Sequence, residues 1–230
     1  MIGARLGRGG SLNDMVKIHM TLACRPVISL IAGCALFFSL ATGVADRAGA
    51  DDYERGFRAL EDGRFDEALY YISLYAANGD PRAQYTMGVM HRRGAGVEQD
   101  DREALLWFLA AAESGHMLGQ YAAGLAFDQG RGIDRDFDNA VHYLREAALN
   151  GHAAAPVQLG NVYFDKANPA TDNAKAYFWW TIAERRNAPG AGENLDKLAR
   201  TISKEDKQRA AAYLDQCAKA TLRNCFPRNP

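Results

Sequence analysis

The sequence predicts an all-α fold, a solenoid of stacked antiparallel helix pairs, because one pattern of residues returns at a fixed period. A shift of 36 residues carries Gly88 to Gly124 and Gly160. The same shift superimposes three further sets: Ala104, Ala140 and Ala176; Asp100, Asp136 and Asp172; and Trp107, Tyr143 and Trp179. A period of this length is typical of helical repeats, since one helix pair is too small to bury its apolar face alone.

Residues 80–115 form one complete repeat, with signals for two helices that we call A and B. Asp80, followed by a proline, is typical of the N-cap of helix A, and Gly94 begins the loop that ends it. Asp100 is predicted to cap helix B, with Glu103 completing a capping box. Left-handed residues are expected where the B helices end, at Gly79, Gly115, Gly151 and Asn187.

Three glycines, Gly88, Gly124 and Gly160, fall inside the predicted A helices. A glycine in a helix interior costs about 1 kcal/mol relative to alanine, so its return at one position needs a structural reason. We therefore expect close packing of helix A against helix B at this position.

These recurring residues resemble the Sel-1-like repeat (SLR), a relative of the tetratricopeptide repeat. In the first full copy the residues that carry the resemblance are Ala83, Gln84, Gly88, Gly94, Gly96, Val97, Gln99, Asp100, Ala104, Trp107, Ala111, Ala112, Gly115 and His116. The resemblance covers roughly residues 51–220. It implies a right-handed alpha-alpha superhelix that acts as an adaptor, often in the bacterial envelope or at its surface.

The repeat frame divides the chain without any Gly-, Ser- or Pro-rich linker, which predicts one structural domain. The predicted segments are a signal peptide at 1–50, a first tetratricopeptide-like repeat at 51–79, SLR repeats at 80–115 and 116–151, a divergent repeat at 152–187, and C-terminal capping helices with a tail at 188–230. In the divergent repeat Asn168 and Pro169 replace two loop residues, so its A to B connection is expected to take another shape.

The charge balance argues against nucleic acid as a partner. The chain has 230 residues, of which 27 are basic and 28 acidic. The first 50 residues hold five basic and two acidic side chains, which leaves 22 basic and 26 acidic ones, a formal charge of −4, for 51–230. Binding to phosphates requires a concentrated basic face, which this composition does not indicate. We expect a protein or peptide partner instead.

An apolar run at residues 27–44, preceded by Lys17 and Arg25, is typical of a secretory signal peptide. Ala48 and Ala50 supply the small residues that a signal peptidase needs, which places the mature start at Asp51. The sequence thus predicts a periplasmic or secreted protein.

Four alternatives for this segment stay open. Cleavage could follow Ala45, and Met15 or Met20 could be the initiator. Residues 27–44 could remain as a membrane anchor, although 18 helical residues span about 27 Å, barely the core of a bilayer. Cys34 lies in a sequence similar to a lipobox, which would make the chain a lipoprotein.

The sequence offers little catalytic or metal-binding chemistry. Beyond the predicted signal peptide the histidines are His91, His116, His142 and His152, without an HExxH motif or paired ligand spacing. We expect no metal and no cofactor. His116 and His152 share a repeat position, which favours a structural role in the turn between repeats, and His91 shares its position with Phe127 and Tyr163, which favours the core.

The resemblance to SLR proteins also raises an alternative function, a penicillin-binding or β-lactamase-like hydrolase directed at the cell wall. Residues 51–230 contain no Ser-x-x-Lys motif, and their serines are Ser73, Ser114 and Ser203. We therefore favour a protein that is not an enzyme.

Cys217 and Cys225 would be the two cysteines left after removal of the signal peptide, and an exported chain is expected to oxidise them to a disulfide. In one continuous helix their eight-residue separation would span about 12 Å, beyond the roughly 4.4–6.8 Å between Cα atoms that a disulfide permits. The helix must then end between them. Two free thiols are the alternative.

The resemblance also suggests where a partner binds, because in this repeat class the A helices line the concave face. There the residue three positions before the helix glycine points into that face. In this sequence the position holds Tyr53, Tyr85 and Tyr121, and then Val157. Neighbouring positions hold Arg82, Arg92, Asp128 and Asn161. The tyrosines could instead pack between adjacent A helices, and the sequence leaves both roles open.

Overall fold

The computed structural model describes residues 45–219 and confirms the all-α fold. Ten helices and no strand occur in this part of the chain. In chain order they are α1 (Ala45–Glu61), α2 (Phe65–Ala77), α3 (Pro81–Arg93), α4 (Asp101–Glu113), α5 (Met117–Gln129), α6 (Phe137–Leu149), α7 (Ala155–Phe164), α8 (Asn173–Arg185), α9 (Ala191–Ala199) and α10 (Lys204–Lys219). Helices α1, α3, α5 and α7 are the predicted A helices, and α2, α4, α6 and α8 are the B helices.

The helix ends confirm Asp80 and Asp100 as N-caps and confirm the left-handed residues at the ends of the B helices. The Asp80 carboxylate accepts hydrogen bonds from the backbone N–H groups of Arg82 and Ala83, at 2.8 and 3.3 Å. The Asp100 carboxylate caps α4 in the same way, with N–H donors 2.8 and 3.1 Å away. At the other end of the B helices, four residues have positive φ: Gly79 (86°), Gly115 (78°), Gly151 (96°) and Asn187 (56°). The residues that begin and end the helices of a pair are therefore part of its own repeat.

The A to B loops keep one backbone hydrogen bond in three successive repeats. The N–H groups of Asp100, Asp136 and Asp172 donate to the carbonyl groups of His91, Phe127 and Tyr163, at 3.0, 3.0 and 2.9 Å. In the divergent repeat the loop takes another shape, as predicted, because a buried Asn168 bonds to the Val162 carbonyl and to the Ala170 N–H. The repeat frame survives this change of loop.

The helix-interior glycines confirm the prediction of close packing. A Cβ atom added to Gly88 would lie 2.5 Å from the Phe108 ring of α4. At Gly124 it would lie 2.7 Å from Leu144 of α6, and at Gly160 it would lie 2.3 Å from the Trp180 indole of α8. These distances are too short for a real side chain, so glycine lets each A helix approach its B helix.

The chain divides into two compact units, one ending at Ala110 and the other beginning at Ala111, where the lack of a linker had predicted one domain. The division falls inside α4, so no linker separates the units. In a repeat array each element contacts mainly its neighbours in sequence.

Helices α9 and α10 both pack against α8. Ser203 caps α10 by accepting a hydrogen bond of 2.9 Å from the Asp206 N–H. Arg209 forms an ion pair of 2.6 Å with Asp172, the N-cap of α8. The first turns of α10 present an exposed polar face, which a terminal repeat needs for solubility: Lys204, Glu205, Lys207, Gln208 and Arg209.

None of the helices in the described part of the chain is both long enough and apolar enough to span a bilayer. The predicted apolar run at 27–44 and the cysteine Cys225 lie outside the described residues.

Candidate partner-binding groove

Tyr53, the first tyrosine of the predicted series, packs in the core of the first unit and is only 6% exposed. Its hydroxyl group shares a hydrogen bond of 3.3 Å with the Thr86 hydroxyl group, and the Arg82 guanidinium lies 4.5 Å from its ring centre. Burial raises the pKa of the Tyr53 phenol. Of the two roles considered for this position, Tyr53 has the packing role.

Arg82, predicted to flank a binding surface, is engaged inside the first unit. Its guanidinium group donates to the Asp80 carboxylate at 2.8 Å while it covers the Tyr53 ring. The side chain is about half exposed. Arg82 thus shields Tyr53 and completes the N-terminal cap of α3.

Tyr85 and Arg92, by contrast, line one open groove between α1 and α3. The groove has a volume of about 640 Å³, within the range of ligand-binding clefts in proteins. Its apolar lining consists of Phe57, Leu60, Phe65, Tyr85, Val89, Met90 and Ala95, and its charged lining consists of Glu61, Arg92 and Arg93. We call this feature the α1–α3 groove. Two of the predicted site residues, Tyr85 and Arg92, thus meet at an open surface.

The Phe108 ring of α4 packs against both Tyr85 and Arg92. The Tyr85 ring centre lies 5.7 Å from that of Phe108, and the Arg92 guanidinium lies 5.5 Å from it. Phe108 itself is buried. Tyr85 and Arg92 are thus only partly buried yet held in place, which suits side chains that contact a ligand.

Two groove residues, Phe57 and Phe65, were missed by the sequence analysis. They are 37% and 42% exposed, which is high for phenylalanine. The available signal was the shorter A to B connection of the first repeat, where Gly56 precedes Ala68 by 12 residues whereas Gly88 precedes Ala104 by 16. This connection turns at Gly63, whose φ is 73°, and places Phe65 at the rim of the groove.

In the second unit the position of Tyr85 is held by Tyr121, which is engaged internally. Its ring stacks on the imidazole of His152, with ring centres 3.9 Å apart. Burial raises the pKa of the Tyr121 phenol and lowers the pKa of His152. Val157, the next residue in the series, is buried. The residues at this repeat position, Tyr53, Tyr85, Tyr121 and Val157, therefore do not form one continuous exposed surface within either unit.

Asp128 and Asn161 also bind partners within the second unit. The Asp128 carboxylate accepts from Arg135 at 3.0 Å, and the same guanidinium pairs with Asp165. The Asn161 carbonyl oxygen accepts from the Trp180 indole and from the Asn194 amide, both at 3.2 Å. Asn161 therefore joins α7 to α8 and α9, a structural role that the sequence did not reveal.

A smaller cavity of about 320 Å³ lies in the second unit. Its lining includes Phe137, Asp138, Tyr163 and Lys175, and the Lys175 ammonium group lies 5.1 Å from the Tyr163 ring centre. Burial raises the pKa of Tyr163 to about 12. The cavity is more polar and half as large as the α1–α3 groove, and none of the predicted site residues lines it.

Structural contacts are seen for one histidine and two serines of the described residues. Nδ1 of His116 accepts from the Gly119 N–H at 3.3 Å and so caps α5, a structural role at the turn between repeats. Ser73 donates to the Tyr70 carbonyl, and Ser203 is the α10 cap. Within this part of the chain no group of three or more His, Cys, Asp or Glu side chains is arranged to hold a metal ion.

Comparison with known families and structures agrees with this repeat architecture. The family model described as Sel1 repeat matches residues 81–116, 118–152 and 158–187. No curated protein matches the chain.

Two solved structures are similar to the chain. A Sel1 repeat protein from Oxalobacter formigenes matches with 24% identity and a TM-score of 0.59, over 73% of this chain and 70% of that protein. A protective antigen from uropathogenic Escherichia coli strains, displaying an SLR fold, matches with 21% identity and a TM-score of 0.49. That match covers 81% of this chain and 50% of the antigen. The fold is thus an all-α helical repeat solenoid, and three of its segments between residues 81 and 187 are similar to Sel1 repeats.

Proposed function

We propose that this chain is an SLR scaffold, not an enzyme, and that it holds a peptide segment of a partner protein in the α1–α3 groove. The observation that carries the proposal is the groove itself, an open cleft of about 640 Å³ lined by partly exposed aromatic side chains. Aromatic residues in such a cleft supply much of the binding energy at protein interfaces, because they bury a large apolar area at low entropic cost.

The similarity to Sel1 repeats supports this class of function, since helical repeats present extended surfaces for protein binding. Export, and a place in envelope assembly, signalling regulation or host interaction, belong to the same proposal. Export is supported by the apolar segment at 27–44 and by the small residues that follow it.

Site-specific photocrosslinking tests the groove directly. A benzophenone amino acid replaces Tyr85 in the full chain, and separate variants carry it at Phe57 or at Tyr70. We expect positions 85 and 57 to form a covalent adduct with the same partner in the native cell fraction, identified by mass spectrometry. Tyr70, 67% exposed but outside the groove lining, is the matched control. Adducts that form equally at position 70 would contradict the proposal.

Alanine substitution separates a groove residue from a core residue at one repeat position. We expect Tyr53→Ala to lower the free energy of unfolding by about 3 kcal/mol or more, because Tyr53 is buried. Tyr85→Ala should cost less stability but weaken binding of the crosslinked partner. Urea denaturation and titration with that partner measure the two effects. A large stability loss for Tyr85→Ala with unchanged affinity would assign Tyr85 to the core as well.

A further inference from the structure

The charged end of the α1–α3 groove lies at the last turn of α3. Arg92 and Arg93 line it, and Glu61 is the acidic residue in the lining. Neither arginine forms an ion pair with a carboxylate among the described residues, although the chain from residue 51 onward carries a formal charge of −4. The groove lining thus holds two arginines against one glutamate, a net positive charge beside an apolar surface, in a chain whose residues 51–230 are acidic as a whole.

The repeat position 36 residues later shows how this fold compensates a charge when it does so internally. Arg92 corresponds to Asp128, which forms an ion pair of 3.0 Å with Arg135. Arg135 in turn corresponds to Gln99. The second repeat therefore lacks a side chain of opposite charge where the third repeat has one. The carboxylate that would pair with Arg92 can therefore come from a ligand.

The macrodipole of α3 does not explain the two arginines. Cations near a helix C-terminus are favourable, typically by about 0.3–1 kcal/mol. The equivalent helix α5, however, ends in Asp128 and Gln129 and is capped by Gly130 in the same left-handed conformation as Gly94. The fold therefore does not require basic residues at this helix end.

Arg92 is also held in position before any ligand binds. Its guanidinium lies 5.5 Å from the centre of the buried Phe108 ring, beside Tyr85. A planar guanidinium held on an aromatic face loses little conformational entropy when it pairs with a carboxylate. Arg93, one residue later, is exposed and adds a second donor.

From these observations we infer that the α1–α3 groove selects an acidic segment of its partner, a peptide in which a bulky apolar side chain lies next to one or more Asp or Glu residues. This inference rests on the proposed function. The apolar side chain contacts Phe57, Phe65 and Tyr85, and the carboxylates pair with Arg92 and Arg93. Charge-assisted hydrogen bonds of this kind are stronger than neutral ones.

Peptide selection tests the inference without knowledge of the natural partner. A phage library of random 12-residue peptides is panned against the full chain and against the double variant Arg92→Gln/Arg93→Gln. A second double variant, Arg131→Gln/Lys166→Gln, removes the same charge from exposed positions elsewhere and is the matched control. Phe57→Ser removes an apolar groove contact. Thermal unfolding of each variant confirms that it folds.

We expect the wild-type chain and the control to enrich peptides that combine Phe or Leu with adjacent Asp or Glu. By fluorescence anisotropy, a fluorescein-labelled peptide from this set should bind Arg92→Gln/Arg93→Gln at least about tenfold more weakly, since 1.4 kcal/mol corresponds to a factor of ten. Its affinity for the wild-type chain should fall as salt is raised.

Two results would overturn the inference in different ways. If uncharged apolar peptides are enriched, bind both arginine forms equally and are lost in Phe57→Ser, the acidic preference is wrong but the groove remains the binding site. If no enriched peptide depends on Phe57 or on the arginines, both the acidic preference and the proposed function are wrong.

Discussion

Gly160 leaves the space that the Trp180 indole fills. The indole N–H donates to the Val157 carbonyl at 3.1 Å and to the Asn161 side chain at 3.2 Å. Trp180 is only 3% exposed. A methyl group at position 160 would overlap the indole ring and push it away from both acceptors. The glycine therefore protects a buried hydrogen-bond network, in addition to allowing two helices to approach.

We predict that Gly160→Ala destabilises the protein by about 1–3 kcal/mol, the usual cost of overpacking, although alanine favours helix formation. The matched control is Gly192→Ala in α9, where an added Cβ would lie no closer than 3.4 Å to Glu184. This second change should leave the free energy of unfolding unchanged or raise it. Urea denaturation compares the two, and equal effects would contradict the packing argument.

At the scale of the helix, the N-cap carboxylates connect local sequence to acid stability. The backbone N–H of Glu103, with that of Arg102 and with help from nearby positive charge, holds the pKa of Asp100 below its ordinary value of 3.8. The folded state thus favours the ionised carboxylate. The resulting stability is present above an unfolded-state pKa of about 3.9 and is lost as the pH falls through the folded-state value.

We predict that Asp100→Asn makes the protein less sensitive to acid, because asparagine caps a helix nearly as well as aspartate but does not titrate. The Tm of the wild type should fall relative to that of the variant as the pH drops below about 4. Asp101→Asn, one residue later, removes the same charge without removing the cap and is the control. Parallel Tm curves for wild type and Asp100→Asn would argue against a role for this cap in acid stability.

The end of helix α10 limits where the chain can reverse to form a Cys217–Cys225 disulfide. The helix continues to Lys219, and Cys217 packs against the same cluster as Tyr213 and Leu214. The reversal that we predict between the two cysteines must therefore fall after Lys219. Cys225 lies outside the described residues, so the bridge stays a prediction.

We expect the non-reduced, exported protein to show no reactive thiol on labelling and to lose about 2–3 kcal/mol of stability when dithiothreitol is added. In Cys217→Ser the reductant should have no further effect on stability. Two thiols that label quantitatively without reductant would exclude the bridge.

At the scale of the whole chain, the N-terminal segment predicts export. The helix α1 runs from Ala45 to Glu61, so cleavage after Ala50 would remove its first six described residues. We predict an exported protein whose intact mass corresponds to a start at Asp51. Ala50→Lys should block this cleavage, because a signal peptidase needs a small residue there.

The measured masses separate the alternatives. If the signal peptidase cuts after Ala45 instead, Ala50→Lys should not block cleavage. A mass that retains residues 27–44, or that includes an acyl chain on Cys34, would show an anchored protein instead.

The repeat pattern predicted the helices, their caps and the packing glycines, because these depend on residues close together in sequence or at a fixed period. It could not predict which tyrosine faces a groove. Tyr53 and Tyr85 occupy the same repeat position, yet Tyr53 is covered by Arg82 whereas Tyr85 borders open space. A repeat position fixes the direction of a side chain on its helix, but the neighbouring helix pair decides whether anything covers it.

The contact between α8 and α10 has a consequence for how many repeats such a chain can hold. Phe178 of α8 is fully buried, and its ring meets that of Tyr213 edge to face at 6.3 Å, whereas the equivalent residue of α6, His142, is exposed. An extra copy of residues 116–151 inserted before residue 152 would leave Phe178 on the last B helix, with its terminating partner. If the same copy were inserted after residue 187, the last B helix would place the equivalent of His142, and not Phe178, against Tyr213. We therefore expect duplication to lengthen this array in one direction only, with a new unit tolerated before residue 152 but not after residue 187.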